Sequence, residues 1–191
     1  RHTWPLASSA AKGQVKKKVA MQYTSWDRTD SQKPVLLKED GPLAFGVFSA
    51  DQAEIDGEVW QLAADPKEGA TARVDGRVYT LQGPLGRAKR LTADAAGRAF
   101  SFINENGGDW IIEDAAGYKV AQFSTKNSGV RKAILEFDAE PEAAALNDAE
   151  IIALSWFTRL ILEAKTRGMA VPVIATLGLA SLVALLSLFV F

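Results

Sequence analysis

The chain contains no cysteine and a single histidine, His2, among its 191 residues. Without thiols there is no disulfide framework, and a Cys/His zinc site cannot be assembled. A Ser-His-Asp triad would have to recruit His2 from the first residues of the chain, which is not an expected place for a general base. A dominant charge sign is also missing, since 22 Lys and Arg against 23 Asp and Glu leave a net charge of −1. No global basic field attracts nucleic acid, so none is expected as a partner. Gly41, Gly46 and Gly57 do not form GxGxxG, and no GxxxxGK[ST] phosphate loop occurs. The pairs Asp51 with Glu54 and Asp138 with Glu140 read as solvated residues of turns and linkers. An enzyme working through carboxylates alone is the one catalytic alternative left, and no residue stands out for it. The expectation is a non-enzyme with no cofactor, no metal and no catalytic residue.

What the chain does have is a long apolar run. Gly168 to Phe191 carries no charged side chain. As a helix it would be about 36 Å long, enough to cross a hydrocarbon core of about 30 Å. Leu177, Leu182, Leu185, Leu186 and Phe189 make it apolar on every face, which suits lipid or a deeply buried core helix. Pro172 lies near its start, where a missing backbone donor costs least. Gly178 and Ser181 are too close for a GxxxG packing motif. Lys165 and Arg167 precede the run, and the positive-inside rule then puts residues 1–167 in the cytoplasm. The expectation is a single-pass protein of the cell membrane with residues 168–191 as its C-terminal transmembrane helix.

Between residues 40 and 147 the pattern is that of an antiparallel β domain. Period-two alternation marks Glu58–Leu62, Thr71–Val74, Arg77–Leu81, Arg98–Ile103, Asp109–Glu113 and Tyr118–Phe123, with further strands at Leu43–Phe48 and Gly129–Phe137. Asp75-Gly76 is a strong hairpin signal. Asp94-Ala95-Ala96-Gly97 and Asp114-Ala115-Ala116-Gly117 repeat a turn pattern, and they lack the clustered carboxylates of a calcium loop. Turns every 8–12 residues predict a sandwich or barrel. Residues 1–39 form an N-terminal arm that contributes one or two strands, around Val19–Tyr23 and Pro34–Leu37. Trp4 and Trp26 lie in this arm, as partner contacts or as edge packing.

An acidic linker, 138–147, leads to a helix over 148–167, opened by Asn147 and Glu150 as a capping-box pair. Ile151, Ile152, Leu154, Trp156, Phe157, Leu160, Ile161 and Leu162 cover much of its circumference. Such a helix is too apolar for free solvation and suits the middle of a barrel, the membrane interface or a partner. Arg159 and Glu163 are spaced to pair, and Arg159 inside a barrel would have to lie at its rim.

The stretch DWIIEDAAGYKVAQF (Asp109–Phe123) and the apolar DAEIIALSWFTRLILEAK (Asp148–Lys165) resemble the tubby-like superfamily, over about residues 40–165. That group includes tubby domains, phospholipid scramblases and LURP-one-related proteins. The resemblance implies a twelve-stranded closed barrel threaded by a hydrophobic helix, and it carries over no catalytic residue. It also implies contact with anionic lipid, for which Lys16, Lys17, Lys18, Arg87, Lys89, Arg90, Arg131 and Lys132 offer basic side chains.

Two roles follow. The first is a non-catalytic accessory or assembly subunit of a larger membrane complex, with bacterial respiratory complexes as the analogy. The second is a lipid-binding or lipid-handling module. The bilayer and other membrane subunits are the expected partners. Trp156, Phe157, Leu160, Leu177, Leu185 and Phe189 are the candidate membrane or partner contacts, and Lys16, Lys17, Lys18, Lys165 and Arg167 the candidate anionic-lipid contacts.

Overall fold

Turn chemistry sets the path of the chain. A computed structural model describes residues 21–124, 134–138 and 145–166. Asp56-Gly57, Asp75-Gly76 and Ala96-Gly97 all have positive φ at both positions, the type I′ geometry whose twist matches paired strands. Around these and longer connections the chain forms β1 (Tyr23–Asp27), β2 (Val35–Lys38), β3 (Ala44–Phe48), β4 (Gln52–Ile55), β5 (Glu58–Asp65) and β6 (Gly69–Val74). It continues as β7 (Arg77–Gln82), β8 (Arg90–Ala95), β9 (Arg98–Asn106), β10 (Asp109–Asp114), β11 (Lys119–Ser124) and β12 (Leu135–Phe137). Each strand pairs antiparallel with its chain neighbours, and β12 closes on β1 through Tyr23–Glu136 and Thr24–Leu135. The result is a closed, mainly β, up-and-down barrel of twelve strands with, among the described residues, one helix, α1, over 148–166. Closure leaves no free sheet edge.

The two DAAG repeats make different turns. In the first, Asp94 and Ala95 end β8, and Gly97 N–H donates to Asp94 Oδ1 at 2.9 Å. In the second, Asp114 Oδ1 accepts from the N–H groups of Ala116 and Tyr118, and a four-residue loop results. Tyr118, expected in a strand, is therefore an exposed loop residue. Glu54, expected in a turn, lies in β4, whose Asp56-Gly57 turn carries the same signal as Asp75-Gly76. The segment before residue 40 supplies β1 and β2, and Trp26 is buried against Phe48 at 4.8 Å in an edge-to-face contact.

Alternation along the strands points apolar residues inward and polar residues outward. In β8, Leu91, Ala93 and Ala95 are buried, while Thr92 and Asp94 are exposed. The outer face carries Glu54, Gln61, Arg73 and Gln122, the reverse of a barrel that meets lipid with its strands. An eight-stranded barrel is filled by its own side chains, and twelve strands leave room for a further element. Helix α1 takes that space. Glu150 to Thr158 are buried on every face of the helix, as are Ile161 and Leu162. Ser155 meets β1 at Thr24, and Phe157 meets β9 at Phe102 with ring centroids 6.4 Å apart. Of the three environments that could accept α1, the barrel interior is the one found.

No helix among the described residues is long and apolar enough to cross a membrane. The run Gly168–Phe191, with Leu177, Leu185 and Phe189, lies outside the described residues, as do Trp4, Lys16, Lys17, Lys18, Arg131, Lys132, Glu140 and Arg167.

Candidate functional site at the helix exit

The meander gives the barrel two distinct ends. At one end lie the β2–β3, β4–β5, β6–β7, β8–β9 and β10–β11 turns, and here the chain enters both β1 and α1. At the other lie the β1–β2, β3–β4, β5–β6, β7–β8 and β9–β10 turns, and here α1 leaves. The ends are about 28 Å apart along the helix.

The entry end is locked to the helix start. Asn147 Oδ1 accepts from Glu150 N–H, and Glu150 Oε2 accepts from Asn147 N–H, both at 2.9 Å. This is the reciprocal capping box anticipated from the two residues, with Asn in place of Ser or Thr. Glu150 Oε2 also meets Arg98 Nη1 at 3.2 Å, tying the helix start to the β8–β9 hairpin. Burial raises the Tyr79 phenol above its ordinary pKa, and nearby Arg77 pulls it the other way. Leu43 and Tyr118 are 68% and 56% exposed on the tips of two turns at this end.

The exit end is where the helix becomes polar. Arg159 donates from Nε to Glu163 Oε1 at 2.8 Å and lies over the Trp26 ring at 4.9 Å, at the rim. Arg28 reaches the same Glu163 oxygen at 3.5 Å. Lys165 Nζ sits 4.9 Å from the centre of the Trp110 ring, and burial lowers its pKa below the ordinary lysine value. The β7–β8 connection presses on the last turn of α1. A Cβ added to Gly86 would lie 3.3 Å from the Ala164 carbonyl oxygen. This connection carries Arg87, Lys89 and, at the start of β8, Arg90, all exposed. Arg90 donates to Ser101 Oγ at 3.1 Å. Among the described residues, the side chains of Arg87 and Lys89 have no hydrogen-bond or ion-pair partner.

The anticipated contact residues separate in the fold. Trp156 and Phe157 touch each other at 5.4 Å inside the barrel, so in this structure they meet the barrel wall rather than lipid or a partner. Leu160 is half-buried against the same core, nearer the rim. Lys165 is at the exit end. The described chain begins at Met21, at the opposite end of the barrel from Lys165, and Lys16–Lys18 lie outside the described residues.

No group of three His, Cys, Asp or Glu stands at metal-binding distance among the described residues. A shallow groove of about 420 Å3 on the outside of β5–β7 includes Asp65 and Glu68. Asp65 Oδ1 is taken up by the N–H groups of Lys67 and Glu68, and so serves to close its turn. Asp138 pairs with Lys119 at 3.3 Å. Comparison with family models, with curated proteins and with solved structures gave no match.

Proposed function

We propose that this chain is a membrane-anchored, non-catalytic accessory subunit of a larger membrane protein complex, of the kind found in bacterial respiratory assemblies. Residues 168–191 are its single transmembrane helix, and the barrel stands in the cytoplasm. The observation that carries this reading is the course of α1. The helix occupies the barrel interior, where a ligand chamber would otherwise lie, and its last described turn stands at one end of the barrel, just before the uncharged run in the sequence. A filled barrel offers its surface for interaction, and a single anchor with little polar content holds that surface beside other membrane subunits.

A second reading is a lipid-binding or lipid-handling module of the tubby-like type. Its support is architectural, since a closed barrel of twelve strands around an apolar helix is what that resemblance implies. Gentle detergent purification of the full chain from its native membrane, followed by mass spectrometry, separates the two. Larger membrane subunits in fixed stoichiometry are expected. Recovery of the chain alone with bound anionic lipid would overturn the accessory-subunit reading in favour of the second.

A further inference from the structure

We infer that the barrel is docked end-on, with the basic β7–β8 connection beside the helix exit seated on an anionic bilayer surface and the entry end turned away from it. The inference rests on the anchoring reading above and adds an orientation and a lipid chemistry to it. Two independent features meet at one place. The first is the direction of α1, whose last described residue, Thr166, lies at the exit end, two residues before the uncharged run begins in the sequence. The second is the charge beside that exit. Residues 83–92 hold three basic side chains and no acidic one. Gly86, in the middle of the connection, lies against Ala164, so the connection meets the last turn of α1 one residue before Arg87.

Arg87 and Lys89 are exposed and spend their charge on no partner among the described residues. A surface potential acts over roughly a Debye length, about 8–10 Å, so only charges held this close to an anchor can use it. Asp30, Asp51, Asp65, Glu68 and Glu105 lie in or beside the other connections of the same rim, so the basic excess belongs to the β7–β8 sector. The orientation also leaves Leu43 and Tyr118, on the entry-end turns, facing the aqueous side where a partner subunit can reach them.

The test uses the full chain in vesicles of phosphatidylcholine, with and without phosphatidylserine. The sequence has no cysteine, so a single introduced one is the only labelling site. A fluorophore on Ala50→Cys or Pro84→Cys reports the exit end, and on Ala116→Cys the entry end. Quenching by spin-labelled headgroups is read after alkaline carbonate extraction. Docking predicts strong quenching at both exit positions and little at the entry position, and only when phosphatidylserine is present. The variant Arg87→Gln/Lys89→Gln should lower the ratio of docked to undocked barrel by about fivefold per charge removed. Extraction of the chain by carbonate would overturn the anchoring reading and this one with it. Retention with quenching indifferent to lipid charge, or stronger at Ala116→Cys, would overturn the docking alone.

Discussion

Thr158 is fully buried in α1, and its hydroxyl has no hydrogen-bond partner among the described residues. A buried donor without an acceptor costs about 1–3 kcal/mol, so removing it without changing shape should help. Thr158→Val is expected to raise stability by about 1 kcal/mol, read as a higher urea midpoint with an unchanged slope. Its neighbour Ser155 predicts the opposite. Ser155 Oγ donates to the Ile151 carbonyl at 2.7 Å, so Thr24 must be the donor in the 2.7 Å contact between the two hydroxyls. Ser155→Ala strands that Thr24 hydroxyl and should cost about 1–3 kcal/mol. Loss of stability in Thr158→Val would mean that its hydroxyl is satisfied after all. Two glycines make a second contrast at this scale. A Cβ at Gly69 would lie 1.9 Å from the Leu81 carbonyl oxygen, a backbone atom of the paired strand, and φ there is 128°. At Gly76 a Cβ meets nothing within 4 Å, and only its φ of 73° resists substitution. Gly69→Ala should therefore cost about 3 kcal/mol or more by forcing β6 from β7, and Gly76→Ala about 1 kcal/mol. Thermal or urea melts of the two variants side by side check the difference.

Among the elements, the helix start is held by three groups whose roles can be separated. Asn147→Ala removes one cap and should cost about 1 kcal/mol. Glu150→Gln keeps a side-chain oxygen for the Asn147 N–H and loses only the attraction to half-exposed Arg98, so it should cost less. Glu150→Ala loses cap and ion pair together and should cost most. A urea series that placed Glu150→Gln below Asn147→Ala would show that the ion pair outweighs the cap. The same cap was legible in the sequence as Asn147 followed by Glu150, because capping needs only local spacing. Hairpins were legible for the same reason, since Asp75-Gly76 and the alternation around it are local signals. β4 escaped notice although Asp56-Gly57 marks its end. Four residues with Ala53 and Ile55 as the only inward pair give too short a period to stand out. The two DAAG repeats read alike yet fold differently, since the hydrogen bonds of each Asp depend on where the flanking strands pair. The basic residues of the β7–β8 connection were visible as charges. Their position at the helix exit was not, because it depends on the count and closure of all twelve strands.

For the whole molecule, the sequence showed a helix apolar around its circumference but not what surrounds it. Lipid, a partner and a barrel interior present the same chemistry to such a helix, and only the size of the barrel decides among them. Twelve strands enclose more space than their own side chains fill, so α1 is core rather than connector. Ile151, Ile152, Leu154, Trp156, Phe157, Ile161 and Leu162 are all buried there. At about 1.5–3 kcal/mol for each large side chain, their burial is worth about 10–21 kcal/mol, as much as or more than the roughly 5–15 kcal/mol net stability of a typical domain. The helix and the run that follows it should therefore separate cleanly under truncation. Removing 148–191 empties the barrel, and the product is expected to aggregate or to show no cooperative melt. Removing only 168–191 leaves every described core contact in place. That product should fold with the melting transition of the parent barrel, remain monodisperse without detergent on size exclusion, and no longer sediment with vesicles. A 1–167 chain that failed to fold would show that the apolar run is structural core for the barrel, and residues 168–191 would lose their assignment as an independent anchor.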